Sequence, residues 1–432
     1  MRILGIGECN DLAAMYAGMQ ARGLEVRVFV RDPASHGIFS GMLARTDDWQ
    51  KDLGWIREAG PDGVIVFETA DLGAAQDQLR AEGFQVIGGS ALGDRLEGER
   101  EYGQAVLRNA GLRTAASHSF NAYADALAFL AERRQRYVLK FNGTSCLRTR
   151  NYIAQTPDSG DLAALLHFYA RQEPQGDPQD FVLMEYIEGV EIGVGGYFNG
   201  VDFLETACVD FEHKRFFPGN LGELTGEMGT VVSYAGSARL RDLVLRPLTD
   251  VLRAGGYCGY INVNLMANQD GLWPLEFTSR FGYPGYAICE CLHGEPWEAI
   301  FVKMLRKMEL RFATAPGFAV GVVLTVPPFP HKQGYAEISK GLPVILDDSL
   351  SPAERARIAF AEVELQRDVL VTSGTCGYVG VATGCGPSVG AARDAALQVA
   401  RRVYVPNLRY RNDIGLPVSD TRLADLRAWG YL

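Results

Sequence analysis

The opening stretch of the chain sets the strongest limit on its fold. Short apolar runs at residues 2–6, 24–30, 62–67 and 84–87 alternate with stretches of helical spacing such as 10–22. Short apolar runs separated by helices are the pattern of a parallel sheet covered on both faces. The first run passes through Gly5-x-Gly7 straight into the first helix. This predicts an open-sheet α/β domain over residues 1–95.

The pattern then changes. A helix is expected at 96–111 and strands at 137–141, 181–187 and 191–198, with Asn199-Gly200 as a hairpin signal. An amphipathic helix is expected at 239–254, and a hairpin pairs 260–267 with 272–277 around Asn268-Gln269-Asp270-Gly271. From about Pro316 strands return at 320–326 and 368–372, before a helix at 389–403. The expected fold class is α/β and α+β, with an α+β middle and a β-rich end.

Composition narrows the function classes. Glycine makes up 49 of 432 residues, above the usual share of roughly 7%, so turns and close approaches to ligands are expected. The net charge of -10 argues against a general nucleic-acid-binding surface. No apolar stretch is long enough to span a membrane, and the start of the chain does not read as a signal peptide, so a cytoplasmic location is expected. The cysteines contain no CxxC; Cys289-x-Cys291 lacks a second pair at zinc spacing, and buried free thiols are expected.

Charged residues placed in or beside strands carry the chemistry. Gly5-x-Gly7-x-x-Asn10 lacks the third glycine of a dinucleotide turn, and Arg31, not an acid, follows the second strand. That leaves a turn contacting an anion or a purely structural turn. Lys140 lies inside an apolar strand and must reach water or meet an anion. The turn after it, with Arg148 and Arg150, could hold a polyphosphate; an edge-strand lysine is the plain alternative. Glu185 and Glu191 flank a Glu188-Gly189 turn, as an adenine and ribose site or as the acidic ends of a surface hairpin. Glu212-His213-Lys214-Arg215 leads into a glycine-containing stretch, as a phosphate site or a solvated charge run. Glu276, Thr278 and Arg280 share one strand face, with Asn264 on the strand before them. They could bind Mg2+ and a phosphoryl group, or form a cross-strand ion pair.

Taken in order, these segments resemble the ATP-grasp superfamily and, within it, the phosphoribosylamine–glycine ligase family. The resemblance rests on Leu96-Glu97-Gly98, Val138 to Gly143, Glu212 to Arg215, Thr225-Gly226 with Met228-Gly229, Glu276 with Arg280-Phe281-Gly282, Val371 to Gly374 and Arg411 to Gly415. It implies an ATP-grasp fold: an N-terminal open parallel-sheet domain at 1–95, an ATP-grasp domain at 96–325 with a mobile lid at about 115–190, and a C-terminal β-rich domain at 326–432. It further implies a ligase that uses ATP and Mg2+ (or Mn2+) to join a small-molecule carboxylate to an amine through an acyl phosphate. By resemblance, Arg100, Lys140 and Arg148 face the ATP phosphates, Glu185 and Ile187 the adenine, and Glu191 the ribose. Lys214 and Arg280 are the catalytic pair; Glu276, Thr278 and Asn264 hold the metal; Glu8, Asn10, Glu68, Thr225 and Gly226 meet the substrates.

The departures from the family pattern lie mostly on the acceptor side. The family's Glu-x-Asn is Glu276-x-Thr278, its Gly-Lys-Gly lid loop is absent, and its Asn-Thr-Gly-Gly-Met-Gly reads Leu224-Thr225-Gly226-Glu227-Met228-Gly229. At the N-terminal turn Gly-Gly-Arg-Glu-His becomes Glu8-Cys9-Asn10-Asp11-Leu12, with two acids where a phosphate would bind. The expected function is a diverged carboxylate–amine ligase whose donor is glycine or a small amino acid and whose amine acceptor is not phosphoribosylamine. An authentic phosphoribosylamine–glycine ligase and a nucleotide-binding protein without ligase activity are the alternatives. A nucleic-acid substrate stays open, and a monomer or homodimer is expected.

Overall fold

The computed structural model describes residues 1–141, 151–172, 180–307 and 309–432. The N-terminal sheet has five parallel strands in the order Ala44–Arg45, Glu25–Val30, Arg2–Gly7, Gly63–Phe67, Gln85–Ile87. Successive residues of its central strand serve different layers: Ile3 packs into one core cluster, Leu4 and Ile6 into another. The runs are continuously apolar because both faces are covered.

Residues 117–185 build a separate four-stranded antiparallel sheet, in the order Ser117–Phe120, Phe181–Glu185, Tyr137–Phe141, Tyr152–Ile153. Helices Tyr123–Glu132 and Gly160–Gln172 pack against it around Leu130, Leu139, Leu166 and Phe181, a cluster distinct from the other cores. The remaining chain is organised by an eight-stranded antiparallel sheet. Its order is Gly271–Thr278, Gly259–Asn268, Val190–Phe198, Cys208–Glu212, Gly229–Ser233, Phe318–Thr325, Tyr378–Gly386, Ile358–Phe360. This sheet runs through position 325, where the sequence places its last boundary, because Phe318–Thr325 pairs with Tyr378–Gly386.

Three element expectations need correction. The helix at 96–111 is two helices, Ser90–Gly98 and Arg100–Asn109, because Glu99 leaves helical geometry at φ -104° and ψ 89°. The helix at 239–254 changes its winding through Arg241–Leu245 and Arg246–Leu248, where Pro247 has no N–H to give the preceding turn. The turn at Asn199 forms, with Asn199 N donating to Asp202 O at 3.0 Å. The following sheet strand starts only at Cys208, so the connection is longer than a tight hairpin. The hairpin of Gly259–Asn268 and Gly271–Thr278 forms as expected. No helix of the described residues is long and apolar enough to cross a membrane.

Candidate active site

A cavity of about 1350 Å³ lies between the small antiparallel sheet and the large one. Strand parity supplies its walls. Tyr137, Leu139 and Phe141 are buried, which turns Lys140 to the opposite face and into the cavity. On the facing hairpin Phe277 and Ser279 are buried while Glu276, Thr278 and Arg280 line the cavity. The register sets Asn264 opposite Glu276 and Asn262 opposite Thr278.

The charges inside are paired but not closed off. Lys214 Nζ lies 3.0 Å from Glu191 Oε1 and 3.0 Å from Glu212 Oε2. Burial works against that ammonium, but Glu212, Glu191 and Glu276 outweigh it and hold the lysine charged. Burial likewise opposes the Glu191 carboxylate, and Lys214 more than offsets it; Asn264 Nδ2 also donates to Glu191 Oε1 at 3.2 Å. Among the described residues Lys140 has no such close partner, and burial lowers its pKa to about 8. Arg100 sits 3.8 Å from Glu276.

Arg280 is held by a residue to which the sequence gives no role. Glu97 Oε1 accepts from Arg280 Nε at 3.1 Å, and Glu97 Oε2 accepts from Ser279 N at 2.7 Å. A carboxylate gripping both the guanidinium and the adjoining backbone fixes where the charge points. Glu97 lies in the Leu96-Glu97-Gly98 segment, so the signal was present without its partner. Arg422 is a second residue missed: it comes from the C-terminal segment and lines the same cavity.

The 212–215 segment is not a solvated charge run. Glu212 and Lys214 face the cavity, whereas His213 is buried and its Nε2 accepts from Gly415 N at 3.1 Å. Burial, then Arg411 and Arg422, lower the His213 pKa to about 4, so it adds no cation. Arg411 is itself buried, bonds Asp413 through both Nε and a terminal nitrogen, and donates to Arg215 O at 2.9 Å. The C-terminal Arg411–Gly415 segment thus fixes the loop that carries Lys214. Thr225 lines the cavity, and its hydroxyl donates to Lys214 O at 2.9 Å.

Of the residues singled out, Arg100, Lys140, Glu185, Ile187, Glu191, Lys214, Thr225, Gly226, Asn264, Glu276, Thr278 and Arg280 line this cavity. Arg148 lies outside the described residues. Glu8, Asn10 and Glu68 do not line it. Glu8 pairs with Arg31. Asn10 is buried, with Nδ2 donating to Ile38 O at 3.4 Å. Glu68 is buried under the turn, where its Oε2 accepts from Leu12 N at 3.4 Å. A Cβ at Gly7 would lie 2.5 Å from that carboxylate, and one at Gly5 would lie 2.5 Å from the Tyr16 ring. These two glycines therefore make room for side chains of the protein itself. The group at this helix start is the Glu68 carboxyl, whose pKa is pushed up to about 8 by burial and then by Asp11, so near neutral pH it mostly holds its proton.

The geometry has parallels in known proteins. Residues 98–286 match the family of the phosphoribosylglycinamide synthetase ATP-grasp (A) domain. The phosphoribosylamine–glycine ligase of Pseudomonas aeruginosa is 28% identical over 368 residues, covering 82% of this chain and 81% of that protein. The Leptospira interrogans ligase of the same name is 26% identical and covers 96% of this chain and 97% of its own. Among solved structures, the Thermotoga maritima phosphoribosylamine–glycine ligase superposes with a TM-score of 0.73 at 22% identity, covering 96% of this chain and 100% of that one. The biotin carboxylase domain of Hydrogenobacter thermophilus 2-oxoglutarate carboxylase, solved with MgADP, gives 0.63 at 12% identity, covering 100% and 95%.

The fold is the ATP-grasp fold, as the sequence pattern implies, and residues 98–286 match an ATP-grasp domain model. Within that class the chain resembles the phosphoribosylamine–glycine ligases, whose ATP-grasp domain it matches through the whole cavity-lining hairpin. None of these relatives is named for a nucleic acid, so the nucleic-acid substrate left open by the sequence gains no support.

Proposed function

We propose that this chain is an ATP-dependent carbon–nitrogen ligase that joins a small carboxylate to an amine, releasing ADP and phosphate. One observation carries the reading: a single cavity gathers Lys140 from one sheet and Glu191, Lys214, Glu276 and Arg280 from around the other. The carboxylate oxygen attacks the γ-phosphorus of ATP as ADP leaves, and the amine nitrogen then attacks the acyl carbon as phosphate leaves. Lys140 and Arg100 bind phosphate oxygens. Lys214, poised between two carboxylates, can turn toward the transferring group, and Arg280, oriented by Glu97, meets charge developing on the phosphoryl and acyl oxygens.

Glu276, with oxygens of Asn264 and Thr278 beside it in register, fits Mg2+ or Mn2+, which takes few protein carboxylates when substrate phosphates complete its shell. When bound, that ion would neutralise phosphate charge. The enzyme is cytoplasmic, monomeric or homodimeric, with the domain division 1–95, 96–325 and 326–432 taken along the sequence, its last two parts sharing the large sheet.

For the substrates, the relatives favour glycine and phosphoribosylamine over the diverged acceptor expected from the sequence. One observation favours the diverged acceptor as a second reading. The N-terminal turn carries Glu68 on its helix N–H groups with Asp11 beside it, a poor place for a phosphate. Phosphate release from ATP, screened over amino acids and amines, separates the two. Turnover with glycine and phosphoribosylamine at ordinary enzyme rates supports the first, and turnover only with another amine supports the second. A chain that binds ATP but consumes none with any pair is not a ligase. Arg280→Ala is expected to abolish turnover while leaving ATP affinity intact; equal loss of binding would contradict its assigned role.

A further inference from the structure

One wall of the cavity holds acids that the reaction above leaves without a role. Asp210 lies on strand Cys208–Glu212 opposite Gly193 of strand Val190–Phe198. A Cβ at Gly193 would stand 2.3 Å from Asp210 Oδ1, so the glycine makes room for the carboxylate. Asn262 Nδ2 donates to Asp210 Oδ2 at 2.6 Å, and the other oxygen, Oδ1, is buried without a partner among the described residues. Glu227 is 8% exposed and its Oε1 has no partner among the described residues either. Thr230, 2% exposed, leaves Oγ1 equally unpartnered. All three residues line the cavity. Native proteins rarely leave buried acceptors unpaired. Asp210 and Thr230 lie on paired strands two register positions apart, and the charge of Asp210 is felt at Glu227, so the two acids and the hydroxyl mark one region where a donor is missing.

Lys214, whose charge is felt at both Asp210 and Glu227, is bonded to other carboxylates, as is Arg280. Lys214 sits on Glu191 and Glu212, and Arg280 on Glu97. Burial and then Glu212 push the Asp210 pKa up to about 7, and burial, Glu212 and Asp210 raise that of Glu227, so an arriving positive charge relieves both. Three unpartnered acceptors match the three donors of a primary ammonium group. The same cavity is walled by Tyr197 and Tyr260, and Tyr260 Oη lies 3.1 Å from Asn262 Nδ2. Aromatic walls suit an organic cation, whereas Mg2+ gives up its water reluctantly. Glu227 also stands where the resembled family has glycine, so the feature belongs to this chain.

We propose that Asp210, Glu227 and Thr230 form a recognition chamber for a protonated primary amine carried by a small substrate of this cavity. The proposal rests on the ligase reading and narrows its substrates: either the carboxylate donor is an amino acid anchored through its ammonium group, or the acceptor enters as an ammonium ion.

The test is calorimetric titration of the full chain with glycine, with ethanolamine as an amine lacking a carboxylate, and with glycolate as a carboxylate lacking an amine. Each is run with and without Mg2+ and a non-hydrolysable ATP analogue. At least one amine should bind about tenfold tighter than glycolate, and Asp210→Asn and Glu227→Gln should each erase about tenfold of that affinity. Preference for glycine alone assigns the chamber to the donor, and preference for ethanolamine assigns it to the acceptor. The affinity for the ATP analogue, changed by less than about twofold, shows that the variants are folded. Should either acid variant fail to fold, Thr230→Val takes its place. Amines that bind no better than glycolate, or variants that bind amines like the parent chain, overturn the proposal. Failure of the parent chain to bind the ATP analogue would instead sink the ligase reading, and the titrations without nucleotide would still decide the chamber.

Discussion

The cavity wall and the N-terminal turn begin from the same kind of signal, charged residues beside glycines, and end as opposites. In the cavity Lys214, Arg280 and Arg100 each lie against a carboxylate that remains partly open to water: Lys214 by Glu191 and Glu212, Arg280 by Glu97, Arg100 near Glu276. Phosphate oxygens can take over such cations at modest cost, because the partner carboxylates stay solvated. At the turn the Leu12 N–H already faces the Glu68 carboxyl, which burial keeps mostly protonated near neutral pH, and Asp11 beside it supplies no counter-ion. A motif of glycines before a helix therefore does not define an anion site. What decides is whether the protein has left the position to a ligand or filled it with its own carboxylate.

The contrast breaks first at Lys214. Lys214→Ala removes the only cation bonded to Glu191 and Glu212 among the described residues, and should lower ATP turnover by about 10³-fold. Phosphate release under saturating ATP checks this; a loss below tenfold would mean that Lys214 serves folding and not phosphoryl transfer. A smaller effect is expected from Glu97→Gln, which keeps the shape but weakens the grip on Arg280. Turnover should fall by about 10²-fold with ADP affinity unchanged. A parallel loss of ADP affinity would show that Glu97 supports the whole cavity and does not specifically aim Arg280.

The sequence showed what depends on local periodicity. Parity along 137–141 and 276–278 sets Lys140, Glu276 and Thr278 on the cavity face, since a strand alternates faces whatever lies around it, and Arg280 lines the same cavity two residues past the strand's end at Thr278. The hairpin around residues 268–271 was legible for the same reason. Contacts far apart in sequence were not. Glu97 meets Arg280 across 183 positions, and nothing in the helix that carries Glu97 announces its partner. His213 reads as part of a cationic cluster until Gly415, 202 positions away, is seen donating to it. The N-terminal turn misled in a third way. Glu8, Asn10 and Glu68 meet Arg31, Ile38 and the helix start, partners that the turn's own sequence does not announce.

The smallest effect should come from Glu68, and it separates the two regions most cleanly. In the unfolded chain a glutamate titrates at about 4.3, whereas Glu68 in the fold titrates at about 8. Below the lower value both states hold the proton and the group contributes its full stability. As pH rises between the two values, only the unfolded state has released the proton, so stability falls steadily. Above about 8 both states are ionised and the loss levels off. Glu68→Gln cannot ionise and keeps an oxygen for Leu12 N. Its melting temperature should therefore exceed that of the parent chain by about 2 °C or more at pH 8.5, with the gap closing toward pH 5. Calorimetric melting at the two pH values checks this, with ADP affinity as the control on the cavity. A gap that does not depend on pH would mean that Glu68 is already relieved of its burial, and the turn would then be free to take a ligand after all.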